Sequence, residues 1–143
     1  MFTLDYHALA PELILAITVM ATLVVDLVTR RKEFVAIVGI IGLFAAAIPV
    51  LTLTFCDGLD FCTDGARIMF DGAYEVDSYA LVLKAVFIFA GFITLMLSIG
   101  YLESDRYYEG EYYFLLVASV LGGVVMASSR DFISLIVALE LVS

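Results

Sequence analysis

The sequence predicts an all-α membrane protein, a polytopic transmembrane helical bundle with four complete helices and the start of a fifth. Three observations carry that expectation. The 143 residues are 64% hydrophobic and only 16% charged, whereas a soluble domain carries about 25% charged residues. Mean hydropathy is +1.09. The apolar residues fall into five long runs divided by polar segments that hold most of the acids. The formal net charge of −9 argues against a nucleic-acid partner, and the lipid bilayer is the expected solvent for most side chains. Trp is absent, so Tyr and Phe must supply any interfacial anchoring.

The first helix is expected over about residues 9–28. It opens on Ala10-Pro11-Glu12, and Pro suits a first helical turn because its missing N–H would be unpaired there. The run is too long for a signal-peptide core and lacks both a positive leader and a small-residue cleavage site, so it reads as a retained span. Thr29-Arg30-Arg31-Lys32 ends it. The second helix is expected over about 34–55. Gly39, Gly42 and Ala46 put small residues on one side, which permits close helix approach, and Pro49 is expected to kink the helix near its exit.

A polar stretch from Cys56 to Ser78 follows, with six acids and one base, Arg67. Asp-Gly pairs at 57–58, 64–65 and 71–72 are turn signals, and Ile68-Met-Phe70 between them reads as a short strand. The third helix spans about 79–101, and a compact polar loop, Glu103 to Glu111, leads to the fourth at about 112–128. Ala118/Gly122 and Ser119/Gly123 form small-xxx-small pairs there, so this helix should pack tightly. Ser128-Ser-Arg-Asp131 turns the chain into the fifth helix, 131–143. That run is short of the roughly 20 residues a span needs, so the sequence reads as part of a longer subunit.

Four basic residues (Arg30, Arg31, Lys32, Arg106) fall in the first and third loops, against two (Arg67, Arg130) on the opposite side. This places loops one and three in the cytoplasm or its organellar equivalent, and the N-terminus and the cysteine-bearing loop outside. Cys56 and Cys62 in that outward loop are expected to form a local disulfide, as oxidising compartments preserve such bonds. The alternative is two unrelated thiols. One Cys pair lacks the further ligands that zinc needs, and no metal site is expected. His7, the lone histidine, reads as an interfacial or solvated residue.

Ionisable groups inside the apolar runs matter most, because charge at mid-membrane is expensive and by default marks a functional site. Glu140 lies roughly 13 Å past Asp131 at 1.5 Å per residue, near the middle of a hydrocarbon core about 30 Å thick. It is the leading candidate for a proton carrier. Lys84, five positions past Tyr79, is a second candidate. Its two readings, a side chain snorkelling to the interface and a cation with a buried partner, stand level. Asp26 precedes Arg30 by four, the spacing of an ion pair on one helix face. Glu12 in the first turn suits the positive helix end and reads as structural.

The stretch from Met126-Ala-Ser-Ser-Arg-Asp131 through Leu139-Glu140-Leu-Val-Ser143 resembles the antiporter-like membrane subunits of respiratory complex I, closest to the branch called subunit N in bacterial NADH–quinone oxidoreductase and subunit 2 in mitochondria. Supporting matches run along the chain: Ala10-Pro11-Glu12, Asp26, Phe70-Asp71-Gly72 followed by Val76-Asp77, Lys84, Gly110-Glu111-Tyr112-Tyr113 and the Leu-Glu-Leu of the fifth helix. Each is weak alone, but their order and spacing together are specific.

The resemblance implies the N-terminal part of such a subunit, with Glu140 as the fifth-helix glutamate of the proton pathway facing a lysine on a later helix. It implies a proton-translocating role coupled to quinone reduction, with other membrane-arm subunits as partners. A related cation/proton antiporter or energy-converting hydrogenase subunit would share these features. A small membrane scaffold or assembly protein is the alternative from a different class, and Glu140 argues against it. No cofactor is expected in this chain, which has no Gly-rich nucleotide loop and only two Cys with which to hold a nicotinamide, a flavin or an iron–sulfur cluster. The start at Met1, without a transit-type leader, favours a bacterial cytoplasmic membrane over the mitochondrial inner membrane.

Overall fold

A computed structural model of the chain describes residues 6–29, 33–55, 67–102 and 109–143. They form five helices, α1 (Ala10–Val28), α2 (Glu33–Thr54), α3 (Ser78–Leu102), α4 (Glu109–Ser128) and α5 (Phe132–Val142), with a two-stranded hairpin between α2 and α3. The first four are long and apolar enough to cross a membrane. α5 is a shorter apolar helix of 11 residues. The expected boundaries hold to within about one residue except at α4, which begins three residues earlier, at Glu109.

Helix α2 is unbroken through Pro49, which is buried inside it. Hydroxyls within the spans satisfy themselves locally, as hydrocarbon demands: Thr18 Oγ1 donates to Ile14 O at 2.7 Å and Thr22 Oγ1 to Val19 O at 2.8 Å.

Helix α4 is the hub. It packs against α1, α2, α3 and α5, while α1 and α3 are not packed neighbours of each other. The shared core draws Leu15 from α1, Val35, Leu43 and Val50 from α2, Ile88 and Leu95 from α3, and Tyr113, Val117 and Val124 from α4. The small residues do what their spacing predicts. A Cβ on Gly42 would collide with Thr18 of α1, one on Gly122 would stand 2.9 Å from the Ala138 carbonyl of α5, and one on Gly123 would stand 2.7 Å from the Phe87 ring of α3. Dispersion between closely approaching backbones replaces the hydrophobic drive that lipid cannot supply.

The hairpin comprises β1 (Arg67–Met69) and β2 (Tyr74–Val76), antiparallel with Ile68 opposite Glu75. A 3₁₀ turn over Phe70–Gly72 joins them. Gly72 has φ +94°, which explains the Asp-Gly signal at 71–72. The first strand agrees with the expectation, while β2 was not anticipated. Met69, Tyr74 and Val76 are buried with Ala8, and Leu9 and Leu81 pack against them. The hairpin therefore seats on the N-terminal ends of α1 and α3. It also meets the turn into α5: Tyr74 pairs with Ser129, the Arg130 N–H donates to Ala73 O at 2.9 Å, and Arg130 forms an ion pair with Glu75.

Candidate functional site

Beneath the hairpin, three helices each contribute a polar side chain to one buried cluster. Glu12 comes from the first turn of α1, Lys84 from the second turn of α3 and Ser128 from the last residue of α4. Tyr74 of β2 covers them. Lys84 is fully buried and Glu12 is 8% exposed. Lys84 Nζ lies 2.6 Å from Glu12 Oε1 and 3.3 Å from the Tyr74 hydroxyl, and it sits 5.3 Å from the Tyr74 ring centroid. The Tyr74 hydroxyl donates to Glu12 Oε1.

Burial and the adjacent Glu12 carboxylate push the Tyr74 hydroxyl well above its ordinary value, because both disfavour the phenolate. Tyr74 therefore stays protonated and remains a hydrogen-bond donor. The ion pair is thus satisfied on Oε1 by an ammonium and a phenol. Two atoms are left over: Glu12 Oε2 and Ser128 Oγ are buried with no hydrogen-bond partner.

These positions resolve the two readings of Lys84. It does not snorkel to the interface; it points inward to a carboxylate on a helix with which its own is not in packing contact. The first-turn Glu12 is the other half of that pair, and more than a neutraliser of the helix end. A sequence signal for this existed. Two lone ionisable residues of opposite sign each lie within two turns of an α-helix N-terminus, and alternation of spans puts the starts of α1 and α3 on the same side. The contributions of Tyr74 and Ser128 had no comparable signal, since they depend on the hairpin folding back over the helices.

Glu140 lies apart from this cluster. The inward positions of α5 are Ala138, the helix's one buried residue, and Val142, which with Ala138 faces Gly122 and whose carbonyl accepts from Ser119 Oγ at 3.2 Å. Glu140 is two residues from each, roughly 200° around the helix at 3.6 residues per turn. Its carboxylate is exposed on the face turned away from α4.

Asp26 presses against Gly110 in the first turn of α4, where the positive helix end suits a carboxylate. Its expected partner, Arg30, lies outside the described residues, as do Cys56 and Cys62. His7 is exposed, with Nε2 3.2 Å from Thr52 Oγ1. Among the described residues no group of three or more His, Cys, Asp or Glu side chains could hold a metal ion.

No family model matches the chain. Individual curated proteins do. NADH-quinone oxidoreductase subunit N 2 of Streptomyces griseus is 33% identical over 144 residues, covering 99% of this chain and 26% of the relative. Subunit N of Dehalococcoides mccartyi is 33% identical over 132 residues, 92% of this chain and 26% of the relative. NAD(P)H-quinone oxidoreductase subunit 2 of the Nephroselmis olivacea chloroplast is 32% identical over 140 residues, 95% of this chain and 27% of the relative. The chain spans about a quarter of the length of the relatives it matches.

Proposed function

We propose that this chain, which belongs with the NADH-quinone oxidoreductase subunit N proteins over the stretch it shares with them, forms part of the membrane arm of a proton-pumping NADH:quinone oxidoreductase. Likeness over nearly the whole chain to subunits of that name supports the assignment. Its partners are then the other membrane-arm subunits of complex I, and its setting is a bacterial cytoplasmic membrane. The redox centres belong to other chains, and this one contributes to moving protons.

The single observation that carries the mechanism is a carboxylate, Glu140, on an apolar helix, turned away from its own bundle. A helix that buries Ala138 against α4 and offers an acid on the far side is arranged to meet a cation from another segment. We assign that partner to a lysine outside these 143 residues. A carboxylate in hydrocarbon prefers to be neutral, and a nearby ammonium favours its ionised form. Bringing the lysine up and moving it away therefore expels and reloads a proton, which couples conformational change to translocation. Lys84 serves a different carboxylate, that of Glu12.

The test is Glu140→Gln in the assembled enzyme, with Glu140→Asp beside it. Gln keeps shape and hydrogen bonding but cannot titrate. Assembly should survive in both, and pumping coupled to quinone reduction should fall sharply in Gln and mildly in Asp. Full pumping by an assembled Glu140→Gln enzyme would show that this carboxylate is not an obligatory carrier.

A further inference from the structure

We propose that Glu12, Tyr74, Lys84 and Ser128 enclose a binding site for an internal water molecule, and that this water loads and unloads a proton on Glu12 at the hairpin end of the bundle. The inference rests on the proton-translocating role proposed above, but on different residues from Glu140.

The two orphaned atoms point to the ligand. Glu12 Oε2 is buried and unpartnered, and Ser128 Oγ, buried beside the Tyr74 hydroxyl, makes no hydrogen bond of good geometry; the two residues are 8% and 2% exposed. They belong to groups that meet at the Tyr74 hydroxyl, which donates to Glu12 Oε1 and has the Ser128 hydroxyl beside it. Leaving buried polar atoms unpaired is costly, and native proteins satisfy such groups with a water that several of them hold. The chemistry of these two atoms suits water. A carboxylate oxygen only accepts and a serine hydroxyl both donates and accepts, so one water donates to Oε2 while accepting from Ser128. A metal cation is disfavoured by the Lys84 ammonium 2.6 Å from the same carboxylate.

Three nearby acids are engaged elsewhere. Asp77 Oδ1 accepts the Ala80 N–H at 2.7 Å, Glu75 pairs with Arg130, and Asp26 lies against Gly110 at the other end of α1. Among the described residues the Glu12 carboxylate is the acid inside the buried cluster, and it takes the proton arriving on the bound water. In that step an O–H bond of hydronium breaks and an O–H bond forms on Glu12 Oε2. Water is regenerated, and the site gains one positive charge as a neutral acid beside an ammonium. Release is the reverse.

The experiment uses the intact enzyme. High-resolution cryo-electron microscopy of the wild type should show water density bridging Glu12 Oε2 and Ser128 Oγ, and that density should be lost in Ser128→Ala. In proteoliposomes Ser128→Ala should lower the number of protons moved per electron, and Ser128→Thr, which keeps the hydroxyl, should restore it. Tyr74→Phe keeps the ring and should lose the density in the same way. Absence of density in the wild type overturns the proposal, as does a wild-type proton-to-electron ratio in Ser128→Ala. A purely structural serine would change assembly and leave the ratio alone. Full pumping in Glu140→Gln with a deficit in Ser128→Ala would refute the Glu140 reading only, and the reverse pattern would refute this one only.

Discussion

Lys84→Met should destabilise the bundle by about 3 kcal/mol, at the lower end of the 3–5 kcal/mol measured when one partner of a buried ion pair is removed. Met matches the length and bulk of the lysine stem, so the change isolates the charge. Lys84 is fully buried, and its ammonium is one of two donors to Glu12 Oε1, with Tyr74 the other. Without it Tyr74 is the one side chain still donating to Glu12 Oε1. The lower end applies because Tyr74 remains and chains unfolded within a membrane also find polar partners. Glu12→Leu combined with Lys84→Met and Tyr74→Phe removes every member of the polar cluster but Ser128. It should return to within about 1–2 kcal/mol of wild type, since apolar replacement of buried ion pairs is often neutral or better. SDS titration of the intact protein in bicelles, followed by far-ultraviolet circular dichroism, reads both effects. The reasoning fails if Lys84→Met lies within about 0.5 kcal/mol of wild type, the range of an ordinary surface change, or if the triple variant is no more stable than the single.

Gly122→Ala should cost about 1–3 kcal/mol in the same titration, the range for overpacking, because its Cβ would meet backbone of α5 at 2.9 Å. Gly100→Ala has open space at the same test position and should be neutral or stabilising by up to about 1 kcal/mol; equal behaviour of the two would refute the close approach of α4 and α5. Non-reducing mass spectrometry of freshly isolated membranes should find Cys56 linked to Cys62, and free alkylatable thiols at both positions would exclude the bond. Cysteines introduced at Glu33 and Asp60 should react with an impermeant label from opposite faces of the membrane, and labelling from one face would show the span count to be wrong.

The spans were legible because hydrocarbon imposes long apolar runs, and the polar punctuation of this chain is clean: Arg30-Arg31-Lys32 and Ser129-Arg130-Asp131 mark ends within a residue or two of where they fall. The partners of Gly122 and Gly123 were not legible. Small-xxx-small spacing announces close approach without saying that one glycine faces α5 and its neighbour α3. Strand β2 was missed because Tyr74-Glu75-Val76 is too short for periodicity to register, and its pairing is set by the 3₁₀ turn at Phe70–Gly72. Glu12 shows the limit most plainly. A first-turn acid has a sufficient local explanation in the helix dipole, so local reasoning stops there, while its main partner lies 72 positions further along the chain.

The hub position of α4 has a consequence for how the chain enters the bilayer. Helices are made in order, N-terminal first, so α1 must wait with Glu12 in its first turn until α3 delivers Lys84. Because α1 and α3 are not packed neighbours, even that arrival fixes only a tether between side chains. The walls that enclose the pair come with α4, whose final residue, Ser128, closes the cluster, and with the turn after it that clasps the hairpin. Until then the first three helices form an open set whose polar ends face lipid headgroups or the insertion machinery. Biogenesis of this segment therefore completes in one late step, and a nascent chain halted before Ser128 should remain associated with its insertase.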